Sequence, residues 1–514
     1  MPESDYSSML VAELKQELTN LGLPTNGNKG ELIERLNSHH NEPLMISIEA
    51  DLIEEESRYE AIFAKMKTQV VGPLNLGAII AIFISLLMIS SVLILKPAWL
   101  GFGADYDYEL IDFDQSQTKI YADELVALGH PTWEGRMSGT VEEANTSAYI
   151  LDRLSEMGYE AESNEYQVPM HHVNSEPSFR LCVEGGFGLS PCDGPIGQIS
   201  GSQVTIFQHR IDYVIQGFSG QSQYLFDENI PVTDLGNGTD EALWQSATGT
   251  LGYVRMDESR VSNTEMYSYA AQNDLAGIIS VNKIINCGQI EGNDCVPIFK
   301  GTNYEALLSA NGGSIPTDIP FVAMSKDAGD IFEALVINAT EPASIELIID
   351  VTNDEERTIY VPCGTIKGKS SEVIIAGAHH DTVYQGEGAV DDTSGVATVL
   401  EMARQLADIV NQTGQPERTI RFCTWGGEEE GLWGSRAYVS DMQNSLTNNL
   451  RLYLNFDMNH VDGDFQERGN SLTLFTNNED DYGHIKRITD LYKEESSEIA
   501  NKYDIRFSLL DGDR

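Results

Sequence analysis

EVIIAGAHHDTV, residues 372–383, decides the fold: an apolar run rich in Val and Ile ends on two histidines and an aspartate. Downstream lies SGVATVLEMARQLADIV (394–410), apolar at helical spacing, then RTIRFCTWGGEEE (418–430), a second apolar run closing on acids. SRAYVSDMQ (435–443) and LRLYLNFDM (450–458) follow. Strands alternate with helices, which predicts an α/β fold with a mixed, mostly parallel sheet flanked by helices. Such sheets gather their functional side chains at the carboxyl ends of the strands. His379 and Asp381 follow the first strand, and Asp391 sits in the loop GEGAVDDTSG (386–395) just before a helix. Glu428, Glu429 and Glu430 follow the second strand, and Asp457 ends the third. An HxD or EE pair alone is an ordinary surface feature; four such clusters behind apolar strands are hard to obtain as solvated charge. Carboxylates and a neutral imidazole are the ligands that a pair of zinc ions needs, with one carboxylate bridging.

Upstream, EEANTSAYILDRLSEMGYEAE (142–162) reads as an amphipathic helix ending at Gly158, followed by the strand-like SNEYQVPM (163–170). Residues of roughly 200–350 change character, with short β-rich runs such as GTLGYVRM and AGIISVN between Gly, Asn, Ser and Asp turns. The six cysteines all follow residue 180. Cys182 and Cys192 are close in sequence, as are Cys287 and Cys295, which suggests two local disulfides in an oxidising compartment. Cys363 and Cys423 lie next to predicted strands and form either a third pair or two buried thiols.

Leu76 to Leu95 reads LGAIIAIFISLLMISSVLIL, twenty residues without a charge. As a helix this rises about 30 Å, the thickness of a bilayer's hydrocarbon core. Arg58, Lys65 and Lys67 precede it, and only Lys96 follows closely before a run of acids. The cation bias predicts a single-pass anchor with the N-terminus in the cytoplasm and the chain beyond about residue 100 outside. Before it, SMLVAELKQELTNLGLPTNGNKGELIERLNS (8–38) carries a leucine stripe at Leu10, Leu14, Leu18 and Leu21, a stop at Gly22, and a second stripe at Leu32, Ile33 and Leu36. Helix, GLPTNGNKGEL loop and helix together resemble the SAP motif, a helical hairpin often found in DNA-binding proteins. Acids outnumber bases in the segment, and only Lys15, Lys29 and Arg35 could meet phosphate inside it. The whole chain has 80 acidic against 32 basic residues, a net −48, which argues against a nucleic-acid partner.

GAHHDTV, GAVDDTSGVA, TWGGEEEGLWGSRAYV and LNFDMNH, in that order, resemble the motif series of the co-catalytic zinc aminopeptidase and glutamate carboxypeptidase family. AAQNDLAGIISVN and IPFVAMSKDAGDIFEAL are similar to the protease-associated domain inserted in many of its members. The resemblance implies two zinc ions. His379 and Asp457 would serve one ion, Asp391 would bridge both, and Glu429 would hold the second. It implies that Glu428 is the general base and that Asp381 orients the His379 ring; His380 then lines the wall and Glu430 faces solvent. The family pattern also calls for a last histidine ligand beyond LNFDM. No matching segment follows, so the resemblance implies a truncated C-terminus, an incomplete second metal site and doubtful activity, with His460 and His484 as the remaining imidazoles to test. The expected partners are a peptide or protein substrate and the lipid bilayer, with homodimerisation open. An aminopeptidase outside the cell is the leading expectation, since GAVDDTSG resembles that branch; a carboxypeptidase or a non-catalytic receptor-like relative are the alternatives. The implied organisation is a SAP-like module at 1–42, an acidic juxtamembrane segment at 43–75, the membrane helix at 76–95, a first peptidase part at 115–200, the insert at 201–350 and a second peptidase part at 351–514.

Overall fold

The computed structural model describes residues 10–40, 67, 69–71, 74–75, 78–86, 113–183, 192, 203–256, 261–282, 302–459, 471–477 and 504–509, with isolated positions between 483 and 494. The chain forms two compact units, Met1–Leu110 and Ile111–Arg514.

In the first unit, helices α1 (Val11–Asn20) and α2 (Lys29–His40) form a hairpin. Leu14, Leu18, Leu32 and Leu36 are its fully buried core, as the two stripes predict. Leu10 leaves the stripe: it stands outside the first turn of α1, 68 % exposed, and its main-chain N–H donates to the Glu13 carboxylate at 2.7 Å. The Arg35 guanidinium is spent inside the hairpin, where Nη1 donates to the carbonyls of Pro24 at 2.6 Å and Asn26 at 2.9 Å. Within the expected juxtamembrane segment, Gln69–Val71 and Leu74–Asn75 pair antiparallel. Residues 78–86 of the expected membrane span are helical, while 76–77 and 87–95 lie outside the described residues. Among the described residues no helix is long and apolar enough to cross a membrane.

The second unit is built on a five-stranded sheet. Its strands are β1 (Glu160–Val173), β2 (Val351–Ile366), β3 (Val373–His379), β4 (Thr419–Trp425) and β5 (Leu450–Asn455), in the spatial order β5-β3-β4-β2-β1. β5, β3 and β4 run parallel, and β2 and β1 extend the sheet antiparallel. The expected alternation of strand and helix is present: α3 (Gln115–Val126), α4 (Val141–Glu156), α5 (Thr393–Thr413) and α6 (Trp433–Asp441) flank the sheet. Because successive side chains of a strand point to opposite faces, Ala376 and Ala378 pack with Val396, Leu400 and Ala403 of α5. Ile375 and Cys423 pack the other way, toward Tyr438 of α6. Thr140 caps α4 through its side chain and Met157 and Gly158 close it, so the sequence locates that helix to within two residues. Cys363 and Cys423 are cross-strand partners on β2 and β4 and form a disulfide. Cys182 and Cys192 form a second one. Cys287 and Cys295 lie outside the described residues.

Between β1 and β2 the chain builds two further sheets. One holds four parallel strands, in the order Phe321–Met324, Gly277–Asn282, Leu251–Met256 and Val232–Asp234, with Tyr213–Ile215 antiparallel at one edge. The other is antiparallel and draws in Ser178–Val183, ahead of residue 201, which pairs with both Gln203–Phe207 and Ser344–Ile349. Helices Asn263–Gln272 and Tyr304–Ala310 make the crossovers between parallel strands.

Candidate metal centre

The three parallel strands β3, β4 and β5 end on the same edge, and their carboxyl ends supply the site. His379 closes β3 and is almost fully buried. Its Nδ1 lies 3.1 Å from the main-chain oxygen of Asp381 and 3.5 Å from the Asp381 carboxylate. A carbonyl oxygen only accepts, so Nδ1 carries the hydrogen and Nε2 is the nitrogen turned to the site. Nε2 lies 3.0 Å from Asp391 Oδ1, 3.8 Å from Glu428 Oε2 and 4.0 Å from Asp457 Oδ1. The ligand atoms of His379, Asp391 and Asp457 are all within 4.8 Å of one another. One imidazole nitrogen and two carboxylate oxygens at that spacing fit a divalent cation of zinc's preferences, leaving further positions to other donors.

The electrostatics agree with a place that is short of positive charge. Burial, only partly opposed by His379 and reinforced by Asp381 and Asp457, pushes the Glu428 carboxyl up to about 7. Burial and the Asp391 charge push Glu429 up to about 8. Burial also raises Asp457 above the ordinary carboxylate range. Burial works against the His379 imidazolium, yet the hydrogen bonds to Asp381 and Asp391 override it and raise its pKa well above the usual value. A cluster whose acids cling to protons is one that a metal cation would relieve.

Around these groups stands a shell of buried polar side chains. Asp392 is fully buried at the N-cap of α5. Its Oδ1 accepts from Gly395 N at 2.9 Å and Met458 N at 3.1 Å, and its Oδ2 accepts from His379 N at 3.2 Å. One carboxylate thereby joins the end of β3, the start of α5 and the turn after β5. Its place just before TSGVA is an N-cap signature, a signal that could have marked it. Asp381 is fully buried, and its Oδ2 accepts from Ser138 Oγ at 2.8 Å and Glu429 N at 3.2 Å. The chain reverses directly after β4: Gly427 has φ +76°, Leu432 N donates to Glu428 O at 3.0 Å and Trp433 N to Gly427 O at 2.8 Å. This turn corrects one expectation, because it sends Glu430 inward, 2 % exposed, rather than to solvent. Burial, then the charges of Asp381 and Glu429, push the Glu430 pKa well up. His380 is also fully buried, with Nε2 3.3 Å from a carboxylate oxygen of the buried Glu143. His460 and His484 lie outside the described residues.

The segment between β1 and β2 reaches this centre through Tyr384, whose hydroxyl lies 2.9 Å from His209 Nε2 and accepts from Ile215 N at 2.8 Å. Arg210 Nε donates to Gln385 O at 2.9 Å.

Residues 363–504, which hold every residue of the centre from His379 to Asp457, match the profile of Peptidase family M28. The region is of the M28 type. Residues 5–39 match the SAP domain. The chain is 35 % identical over 161 residues to a probable lipoprotein aminopeptidase of Mycobacterium tuberculosis, 31 % of this chain and 30 % of that protein. It is 35 % identical over 147 residues to an aminopeptidase of Pseudomonas aeruginosa, 29 % and 26 % of the two chains. The match thus spans under a third of the length of these relatives. Among solved structures, an aminopeptidase from an Aneurinibacillus species aligns at 21 % identity and TM-score 0.46, covering 71 % of this chain and 74 % of that one. A zinc aminopeptidase from Bacillus subtilis aligns at 18 % identity and TM-score 0.48, covering 68 % and 70 %.

Proposed function

We propose that this chain is a zinc-dependent exopeptidase, an aminopeptidase that hydrolyses the N-terminal bond of peptides outside the cytoplasm while anchored by residues 76–95. The observation that carries the proposal is the convergence of His379, Asp391 and Asp457 behind parallel strands, with the free Glu428 carboxylate 3.8 Å from the same imidazole nitrogen. The M28-type region and the aminopeptidase names of the similar proteins support the same reading. The disulfides Cys182–Cys192 and Cys363–Cys423 support an oxidising compartment, and the cation bias around 76–95 supports the orientation.

His379, Asp391 and Asp457 would hold one zinc ion, with Asp391 also facing a second ion held by Glu429. Bound zinc would supply Lewis acidity, polarising the scissile carbonyl and acidifying water. Glu428 is the group to take the proton from the attacking water and pass it to the leaving amine. Asp381 holds the His379 ring from behind through its carbonyl oxygen, fixing which nitrogen faces the site.

Glu428→Ala tests the reading. The variant should keep its zinc, measured by metal analysis after gel filtration, and lose at least 100-fold in turnover of a free-amine peptide. Wild-type turnover of N-blocked but not free-amine peptides would replace the aminopeptidase reading by a carboxypeptidase one. Near-normal turnover by Glu428→Ala would remove the base from Glu428.

A further inference from the structure

Two loops bear the groups of the metal centre. Residues 380–390 join His379 to Asp391, and residues 426–430 carry Glu428 and Glu429. Neither is held by regular secondary structure, yet their mutual spacing sets whether the ligands can converge. Both loops are tied to one short segment far away in sequence, Arg136–Glu143.

Arg136 is a large, almost fully buried cation lying along the first loop. Its Nη1 donates to Glu387 O at 2.9 Å and its Nη2 to Thr393 Oγ1 at 2.6 Å; its Nε reaches toward His380 O at 3.4 Å. The fork therefore touches the loop near its start, in its middle and just past its end. The main chain of Arg136 adds a pair of bonds with Thr382: Arg136 N donates to Thr382 Oγ1 at 2.7 Å, and Thr382 N to Arg136 O at 3.3 Å. Two residues on, the buried Ser138 hydroxyl donates to Asp381 Oδ2 at 2.8 Å and accepts from Gly427 N at 2.8 Å. One hydroxyl thus links the first loop to the second. The buried Glu143 completes the segment: Oε2 accepts from Gly139 N at 2.8 Å and Oε1 from Tyr360 N of β2 at 2.9 Å, which fixes the segment to the sheet.

We propose that Arg136 and Ser138 are positioning residues for the metal centre, a brace that holds the loops 380–390 and 426–430 at ligand-converging distance before any metal arrives. The physical warrant is entropy. Ordering a free loop residue costs backbone freedom, so a loop fixed during folding spares metal binding that cost. The fork geometry matters as well as the charge. A guanidinium can donate to three acceptors in one plane, whereas an ammonium on a flexible stem cannot span the same loop. Burial lowers the Arg136 pKa only to about 10, so the donors stay charged at neutral pH.

The inference rests on the zinc reading above, and the experiment separates the two. The 514-residue chain and its Arg136→Met, Arg136→Lys and Ser138→Ala variants are stripped of metal. Zinc affinity is then measured by competition with a chromophoric chelator, and hydrogen exchange of residues 380–392 is followed in the zinc-free proteins. Leu154→Ala, in the sheet's helical core, serves as a destabilised control. Arg136→Met and Ser138→Ala should weaken zinc about 10- to 100-fold, the range typical of lost support behind metal ligands. Both should speed exchange across 380–392, and Leu154→Ala should do neither despite a lower unfolding midpoint. Arg136→Lys should fail to rescue. Wild-type zinc affinity and exchange in Ser138→Ala, the mildest change and the one to rely on if Arg136→Met does not fold, would overturn the brace. An equal loss of affinity in Leu154→Ala would reduce it to general stability. Should the unaltered chain bind no zinc, the function proposed above fails, while faster exchange in the variants would still establish the brace and unchanged exchange would still refute it.

Discussion

Raising the pH should destabilise the zinc-free protein, and the centre itself should account for much of the effect. Glu428 has its pKa lifted from 4.5 to about 7 and Glu429 from 4.5 to about 8. A carboxyl whose folded pKa exceeds its unfolded one binds its proton more tightly in the native state. Its stabilising contribution is full below about pH 4.5 and is lost as pH rises through 7 to 8. His379, raised well above its usual value, works in the same direction over a higher range. For Glu428 alone the gap between 4.5 and about 7 converts to roughly 3 kcal/mol; with its side chain 29 % exposed, that figure is an upper one. The Glu429 figure is not added, because neighbouring acids share the cost of losing protons. Urea unfolding of the stripped protein at pH 5 and pH 8.5, followed by Trp fluorescence, should show a stability lower by about 2–3 kcal/mol at the higher pH. Zinc should stabilise far more at pH 8.5 than at pH 5, since it competes with the same protons. The surface, at a net −48, also pushes toward lower stability at high pH. The decisive comparison is therefore a double variant, Glu428→Gln with Glu429→Gln, which leaves the surface alone and should lose most of the slope. An undiminished slope in that variant would refute the assignment of the effect to the centre.

Three further outcomes are expected. Asp392→Asn should cost about 1–3 kcal/mol, because the new amide would turn a donor toward the main-chain N–H of His379 or of Gly395 and Met458; thermal unfolding checks it. The α1–α2 hairpin, with Arg35 occupied by Pro24 and Asn26, should bind duplex DNA no tighter than non-specific contact, a Kd of about 10⁻⁶ M or weaker at physiological salt, as fluorescence anisotropy would show. Protease added to intact cells expressing the chain should remove the region after residue 100 and spare an N-terminal tag; protection of both ends would contradict the single-pass reading.

Much of the centre was legible because its parts lie where strands stop. EVIIAGA, TIRFCTW and LRLYLN announce themselves by composition, and the residues that follow them were read as candidates because the clusters occur together; their roles came from the resemblance. The hairpin leucines were legible for a similar reason, a spacing that only a helix can turn to one side. Arg136, Ser138 and Glu143 were not, since RMSGTVEE has no periodicity that separates buried polar groups from solvated ones. Their partners, Thr382, Asp381 and Tyr360, stand more than two hundred residues away. Three consecutive glutamates carry no mark of which faces inward; the reversal at Gly427 decides that, and it buries Glu430. Ser178–Val183 falls inside the expected first peptidase part at 115–200, but its partners are strands some twenty and some 165 residues further on, which only register reveals.

β1 leaves the sheet at Val173 and β2 re-enters it at Val351, and these two residues are paired neighbours, with Asn174 N donating to Asp350 O at 2.9 Å just beyond them. In topological language the 175 or so residues between are the loop of a hairpin, and the entropy of closing a loop rises only slowly with its length. A two-residue turn could replace the whole graft without rerouting a single strand. The stock has nevertheless grown around it. Trp133, Met137, Val173 and Tyr384 share one continuous core with Phe207, Tyr213 and Ile345 of the graft. Stripping cover from four such side chains would cost roughly 1.5–3 kcal/mol each, a sum comparable to the whole stability of a domain. What is freely severable as a graph is therefore inseparable as a solid, and the face that would be laid bare includes Tyr384, on the very loop that joins His379 to Asp391.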